Sequence, residues 1–218
     1  MNAVQFYIIF ILKCNFLFVT AMTKNNIQDI LIKKGRELIW EKGTENLTAR
    51  KLSEFSGYSV GTIYNQFGSM EGFILLQNYI TLDELFIFMK KTKFSSNPYI
   101  LINAYADAFV TFVLNNNNFW DLLFNFHIKN GSKTLSRLYL RKISEILKLI
   151  DAPFGELYPF LEKKEKTVLL NTLWQTLFSL SSFLLSGDCS TEATARKKTT
   201  CKITLNAFLS GTLILPKD

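Results

Sequence analysis

The chain has 218 residues, an apolar fraction of 48% and a formal net charge of +7 at pH 7. This composition excludes a disordered or collagen-like chain, and the length suits one large domain or two small ones. The surplus of positive charge is compatible with a nucleic-acid or an anionic-membrane partner. It is spread thinly, however, with +1 in residues 1–23, +2 in residues 24–93 and +4 in residues 94–218, so no segment is a basic tract.

Residues 1–22 differ from the rest of the chain and have three interpretations. A secretory signal is disfavoured because the only base, Lys13, lies inside the apolar stretch instead of before it. A membrane anchor is weak because the apolar run at residues 6–12 is too short for a bilayer of ~30 Å. We favour a translation start at Met22, which opens onto an amphipathic helix. Residues 1–21 would then be an untranslated leader, and we expect no membrane contact unless they are retained.

The pattern beyond residue 24 is helical, and four helices are predicted in the first part. Apolar residues recur every three or four positions before Gly43, which follows where a left-handed helix end is common. Thr48, Ser59 and Ser69 each carry an N-cap side chain at the start of a helix. The predicted helices span residues 25–42, 48–55, 59–65 and 70–91.

Five longer helices follow, and no strand alternation or internal repeat is visible. They are predicted at residues 98–114, 118–127, 133–150, 162–185 and 191–212. Residues 151–159 contain two prolines and a glycine and are expected to form an irregular link. The predicted fold is all-α, with a three-helix head at residues 22–70 and a larger helical domain at residues 71–218.

The second and third helices are short and meet at Gly57, which makes a helix-turn-helix pattern. Gly57 permits the tight reversal between them. Ile63 and Phe67 lie four residues apart and are expected to face a small core. The opposite side would then face a DNA groove, with Tyr64 at its flank, and it carries Ser59, Val60, Thr62 and Asn65. The alternative is a purely structural helical hairpin.

This part of the sequence resembles the DNA-binding region of TetR-type transcriptional regulators. The resemblance is carried by Gly43-x4-Thr48-x3-Leu52-x4-Gly57-Tyr-Ser-x-Gly61-Thr62-Ile63-Tyr64-x-x-Phe67-x-Ser69. The helical remainder has the length and class of that family's effector-binding and dimerisation domain. The resemblance therefore implies a homodimer that binds a double-stranded, palindromic DNA operator and responds to a small-molecule effector.

The resemblance also implies which residues contact DNA. Thr48 and Arg50 would touch the phosphate backbone, where a helix start offers free N–H groups and a favourable dipole. An approach to base edges is expected at Ser59, Val60 and Gly61. Phosphate and flank contacts are expected at Thr62 and Tyr64.

Three positions depart from the family pattern. Met70 stands where the family usually has Lys, which removes one phosphate anchor. Gln66 replaces the usual aromatic residue or His, and Lys51 replaces a usual acid. Lys51 is expected to restore part of the lost attraction to the DNA backbone.

Aromatic residues of the C-terminal helices are candidates for the lining of an effector pocket. They lie in separate predicted helices, and a plain hydrophobic core is the competing interpretation. His127 could reach an effector, end a helix or be solvated. The candidate pocket residues are Phe109, Phe112, Trp120, Phe124, His127, Trp174 and Phe178.

The last two helices are apolar around much of their girth, so we expect them to bury one side against a second copy of the chain. A dimer would hold two recognition helices about one DNA turn (~34 Å) apart.

Three cysteines and one histidine offer little for a metal site or a nucleophilic catalyst. Cys14, Cys189 and Cys201 lack metal-ligand spacing, and no catalytic triad or glycine-rich phosphate loop is present. We expect reduced thiols, a cytoplasmic location, no cofactor, no metal and no enzymatic activity.

The sequence therefore favours a repressor released from its operator by a small apolar effector. The first alternative is a helical interaction protein whose DNA-binding head has weakened affinity. The second is a regulator tethered to a membrane by residues 1–22.

Overall fold

The computed structural model describes residues 27–130, 137–187 and 190–212. Within these segments the chain forms α-helices and one short 3-10 helix, with no strand, which confirms the all-α prediction. The helices are α1 (Ile27–Lys42), the 3-10 helix (Thr44–Asn46), α2 (Ala49–Ser56), α3 (Val60–Phe67), α4 (Met70–Lys90), α5 (Pro98–Asn115), α6 (Asn117–Asn130), α7 (Arg137–Leu157), α8 (Lys163–Leu185) and α9 (Thr191–Thr212). Residues 1–22, with the predicted leader, lie outside the described residues, as do Cys14 and Cys189.

The predicted N-caps begin α2, α3 and α4. The Thr48 hydroxyl accepts a hydrogen bond from the Lys51 N–H at 3.2 Å. The Ser59 and Ser69 hydroxyls accept from the third residue beyond them in the same way, at 3.1 and 3.0 Å. Gly57 has a φ of +79° between α2 and α3, a conformation that favours glycine. Local sequence chemistry therefore fixes the geometry of the helix-turn-helix.

Two connections differ from the expectation. Gly43 has a φ of +80° but a ψ of 173°, so it does not form a left-handed cap, and the unpredicted 3-10 helix follows it. The irregular link expected at residues 151–159 is wrong for most of its length, because α7 continues through Pro153 to Leu157. Pro153 lacks one helical hydrogen bond, but the buried aromatic side chains of Phe154 and Tyr158 hold this part of the chain on the core.

Two hydrophobic clusters organise the molecule. The smaller cluster lies in the head and contains side chains of α1 to α4, and Phe119 and Leu122 of α6 complete it. The larger cluster fills the C-terminal part and includes Trp120 and Leu123 of the same helix. Helix α6 is therefore buried on two sides, one in each cluster.

Helices α4 and α8 are each long and apolar enough to cross a membrane by length and hydropathy alone. Both supply side chains to the large cluster, α4 through Leu82 and Leu85 and α8 through Leu173 and Leu177. A helix buried in a protein core meets the same criteria, so this hydropathy agrees with their packing.

Candidate DNA-binding surface and its connection to the C-terminal domain

Helix α3 has one buried and one open side. Ile63 is fully buried, and the Phe67 ring meets the Phe73 ring edge-on with 4.8 Å between centroids. The open side carries Val60, Tyr64 and Asn65, with 36% of Val60 and 44% of Tyr64 exposed. Of the side chains expected to face a groove, Ser59, Val60 and Asn65 are exposed and Thr62 is half-buried. We call the surface formed by these four residues with Gly61 and Tyr64 the α3 face.

Gly61 opens the centre of the α3 face. Apart from the adjacent residues and the backbone of its own helix, a Cβ atom built at Gly61 would meet only the Ser59 hydroxyl within 4 Å, at 3.7 Å. The Ser59 hydroxyl is also 2.9 Å from that of Thr62, so these two polar groups already bond each other. Gly61 thus leaves space for a close approach to the backbone, while Ser59 and Thr62 are partly occupied by capping.

The start of α2 lies in solvent and carries two cations. Arg50 pairs with Glu54 one turn further along, with 3.0 Å between Nε and Oε1. The Lys51 ammonium donates to the Asn46 side-chain oxygen at 2.6 Å. Both cations are exposed, so these pairs are weak and the cations remain available to a phosphate group.

The two other departures from the family pattern lie beside the head core. Met70 is the first residue of α4, and its half-buried side chain packs against the smaller cluster. Gln66 is half-buried near the end of α3. Neither carries a charge, so neither supplies an ionic contact to a phosphate group.

Arg36 of α1 joins the head to the C-terminal part, a contact that the sequence analysis missed. Its guanidinium donates to the Thr81 hydroxyl at 3.2 Å and to the Gln77 carbonyl at 3.4 Å, and it forms an ion pair with Glu84. The same group lies 3.9 Å above the ring centre of Phe119. Burial raises the pKa of Glu84, and the Arg36 charge acts in the opposite direction.

Further hydrogen bonds reinforce this junction. The Gln77 amide donates to the Ile32 carbonyl at 3.0 Å, and the Asn118 amide donates to the Ile39 carbonyl at 3.1 Å. The Thr44 hydroxyl donates to the Asp121 carboxylate at 2.8 Å. A usable signal existed in the sequence, because polar residues at positions 77, 81 and 84 recur at helical spacing along one side of α4.

All seven candidate pocket residues meet in one aromatic cluster. Phe178 is central: its ring centre lies 5.2 Å from that of Phe124, 4.8 Å from that of His127 and 6.0 Å from that of Trp120. Trp174 also stacks on Phe178, and further links run from Phe109 to Trp120 and Trp174, and from Phe112 to Trp120. These rings belong to α5, α6 and α8, and α7 joins them through Tyr139 beside His127, so four helices converge on the cluster.

The aromatic cluster contains buried polar atoms that lack partners among the described residues. They include the indole nitrogen of Trp120 and Nδ1 of His127. Outside the cluster, on α4, both side-chain polar atoms of Asn78 are also buried without a partner among the described residues. Each such atom costs about 1–3 kcal/mol when it is left unpaired. Burial also lowers the pKa of His127, which favours its neutral form.

No group of three or more His, Cys, Asp or Glu side chains in the described segments is placed to hold a metal ion. Cys201 is a free, buried thiol on α9, and burial raises its pKa.

Comparison with known proteins agrees with this architecture. Residues 31–75 match the family described as "Bacterial regulatory proteins, tetR family". No curated protein matches the chain in sequence.

Solved structures share the fold of most of the chain. The TetR family transcriptional regulator PfmR from Thermus thermophilus is 15% identical, with a TM-score of 0.58 over 83% of this chain and 97% of that one. A transcriptional regulator from Rhodococcus sp. Rha1 is 13% identical, with a TM-score of 0.61 over 88% and 100%. FadR of Thermus thermophilus, a TetR family repressor in complex with lauroyl-CoA, is 13% identical, with a TM-score of 0.59 over 88% and 97%.

The described chain is thus an all-α protein with a helix-turn-helix head on a larger helical domain. Residues 31–75, which include the helix-turn-helix, match the TetR family of bacterial regulatory proteins, and the described chain shares the fold of solved TetR-type transcriptional regulators.

Proposed function

We propose that the protein is a homodimeric repressor that binds a palindromic DNA operator and releases it when a small apolar effector binds. The observation that carries the proposal is the uncovered α3 face beside the exposed cations at the start of α2. The DNA-binding head would comprise residues 22–70, and the effector-binding and dimerisation domain residues 71–218.

The proposed DNA contacts are of two kinds: those that position the head on the phosphate backbone and those that read the bases. Thr48, Arg50 and Lys51 would position the head on the phosphate backbone, because the first N–H groups and positive dipole end of α2 lie there. The α3 face would enter the major groove, where an α-helix fits and base edges are distinct. In this role Thr62 and Tyr64 contact the flanking backbone.

The proposed dimer uses the outer sides of α8 and α9. Val168 and Ile203 are 58% and 64% exposed on these two helices, and Phe183 is also exposed. A shallow open groove of about 430 Å³ runs along α8, lined by Thr172, Gln175, Thr176, Ser179, Leu180 and Phe183. Pairing with a second copy would cover these side chains and fix the spacing between two heads.

The proposed effector site is the aromatic cluster. Its rings suit an apolar molecule, and the unpaired atoms of Trp120 and His127 would bond a polar group on it. FadR, which shares the fold, is in complex with lauroyl-CoA, so an acyl chain is one class of apolar ligand to test.

Helix α6 would connect the proposed effector site to the DNA-binding head, because it contacts both. Trp120 and Phe124 belong to the aromatic cluster, whereas Phe119 and Asn118 contact the head. A ligand that displaces α6 would therefore also displace the support of α1. The free energy of ligand binding would then favour conformations of the dimer in which the two heads no longer match the spacing of the operator half-sites.

The decisive experiment for DNA binding is Gly61→Glu in the full-length protein. We expect operator affinity, measured by gel shift at fixed salt, to fall more than ~100-fold through loss of contact and charge repulsion. Folding should be retained, since the position is exposed and helical. Ala152→Glu makes the same charge change at an exposed site on α7 and should leave binding unchanged. Equal binding by both variants would contradict the proposed DNA-binding surface.

The dimer is tested by light scattering at micromolar concentration. The wild type should have twice the mass of the chain, and Phe183→Glu should shift it towards the monomer. A monomeric wild type would contradict the dimer.

The effector site is tested in Trp40→Phe, which leaves the tryptophans of the aromatic cluster, Trp120 and Trp174, as the fluorophores. Lauroyl-CoA and 1-dodecanol are the probes. Binding should change the fluorescence and release operator DNA, whereas release without a change in fluorescence would place the ligand elsewhere.

A further inference from the structure

The chemistry of α3 bears on which base pairs this helix can read. This helix, with the sequence VGTIYNQF, contains no charged side chain. Guanine is most often read by Arg or Lys at its O6 and N7 acceptors, and cytosine by a carboxylate at its N4 donor. Helix α3 therefore lacks the usual readers of both members of a G·C pair.

Among the described residues, the segments on either side of α3 do not supply the missing cation. No Lys or Arg occurs between Lys51 and Lys90. Lys51 and Arg50 lie at the start of α2, the part of a helix-turn-helix that crosses the backbone. Arg36 is held at the junction with the C-terminal part by Glu84 and Phe119, so it is not directed to the α3 face.

Apart from the Tyr64 hydroxyl, which we assign to the flanking DNA backbone, the groups available to distinguish base pairs on the α3 face are apolar or carboxamide groups. The Ser59 and Thr62 hydroxyls bond each other at the N-cap, and since a hydroxyl can bond either kind of base pair, they do not select between A·T and G·C. Val60 presents exposed methyl groups, and Asn65 an exposed carboxamide. Gly61 stands four residues before Asn65 on the same side, where its missing side chain leaves room for the base pairs to approach.

These two groups have matching partners on an A·T pair. Apolar side chains contact the C5 methyl group of thymine, and an Asn carboxamide bonds N6 and N7 of adenine with its oxygen and nitrogen. We propose, resting on the proposed function, that each operator half-site is read at A·T pairs, with Val60 on a thymine methyl group and Asn65 on an adenine.

The test begins with selection of sites from randomised duplex DNA by the full-length protein at fixed salt. The selected half-sites should share A·T pairs at the positions that the bound protein protects. In one such site each thymine is replaced in turn by uracil, which removes only the methyl group, and each adenine by 7-deazaadenine, which removes N7.

We expect one uracil to weaken wild-type binding roughly fourfold, as for one methyl contact. One 7-deazaadenine should weaken it roughly 3- to 10-fold, as for one hydrogen bond. Val60→Ala should abolish the uracil effect and Asn65→Ala the 7-deazaadenine effect. The matched control, Lys51→Ala, should weaken binding to all sequences alike and preserve both effects.

Selected sites with G·C pairs at the protected positions would overturn the inference while leaving DNA binding intact. So would insensitivity of the wild type to both replacements, or effects that persist in Val60→Ala and Asn65→Ala. Failure to enrich any sequence would instead overturn the proposed function, so the two failures are distinguishable.

Discussion

Helices α3 and α6 use their surfaces in opposite ways. Helix α3 buries one side in the head cluster and leaves the other in solvent. Helix α6 is covered on two sides, by the head at Phe119 and Leu122 and by the large cluster at Trp120 and Leu123. Substitutions on the open side of α3 should therefore change recognition and spare the fold. Substitutions in α6 should change stability and the communication between the two parts.

The largest effect is expected for Phe119→Ala, which removes the ring that joins α6 to the head. The loss of a buried aromatic side chain should lower the free energy of unfolding by ~3–5 kcal/mol, measured by urea denaturation. Phe94→Ala is the control, because Phe94 is 85% exposed. That change should alter stability by less than ~0.5 kcal/mol. Similar losses in both variants would contradict the two-sided burial of α6.

The next effect is expected for Arg36→Met. This variant leaves Glu84 without its cation in a mostly buried setting and should lower the free energy of unfolding by about 3 kcal/mol. The double variant Arg36→Met with Glu84→Leu removes both charges and should regain much of this loss. If the double variant is less stable than Arg36→Met alone, the ion pair is not the source of the effect.

A smaller effect is expected for Thr48→Ala. Loss of the N-cap should lower the free energy of unfolding by ~1 kcal/mol and should also weaken operator binding. Asn97→Ala removes the corresponding cap of α5, whose side-chain oxygen accepts from the Ile100 N–H at 3.2 Å. Asn97→Ala should lower the free energy of unfolding by a similar amount, measured by urea denaturation, and leave operator binding unchanged. The discriminating result is weaker operator binding, measured by gel shift, for Thr48→Ala but not for Asn97→Ala.

Met70→Lys tests whether the start of α4 lies near the DNA backbone. The long stem can pack as Met does while its ammonium reaches solvent. We expect tighter binding to all sequences and a salt slope steeper by ~0.9. Met70→Gln is the uncharged control. An unchanged slope for Met70→Lys would mean that this position does not meet a phosphate group.

The smallest effect concerns pH and His127. Burial lowers its folded pKa below the ordinary value of 6.5, so the unfolded chain takes up a proton first as the pH falls. The contribution of neutral His127 to the free energy of unfolding is therefore fully present above about pH 6.5. It is lost as the pH falls from there towards the folded pKa. Urea denaturation at pH 7.5 and 5.5 should show a larger loss for the wild type than for His127→Gln. Equal losses would contradict the buried, neutral histidine.

Local chemistry made the head predictable. The N-caps at Thr48, Ser59 and Ser69 and the turn at Gly57 each depend on residues within a few positions, and the structure confirms them. The seven candidate pocket residues also came from the sequence, because large rings in amphipathic helices tend to meet in a core. Their role as an effector site remains a prediction.

The junction was not predictable from local patterns. Arg36 and Glu84 are 48 positions apart, and their pairing depends on how α1 packs against α4. The division of α6 between two clusters was missed for a related reason. Phe119 and Trp120 are neighbours in sequence, and periodicity alone does not tell which apolar side meets which partner. The continuation of α7 past Pro153 likewise depends on tertiary packing that outweighs a local breaker.

The stretch without cations from Lys51 to Lys90 has a consequence for how such a protein would find its target. Non-specific affinity for DNA comes almost entirely from phosphate neutralisation, and it is what allows a protein to slide along the duplex. With a net charge of only +2 in residues 24–93, the head would leave non-operator DNA quickly. Its search would then proceed mainly by repeated encounters from solution, and its arrival rate would depend little on the length of DNA that flanks the operator.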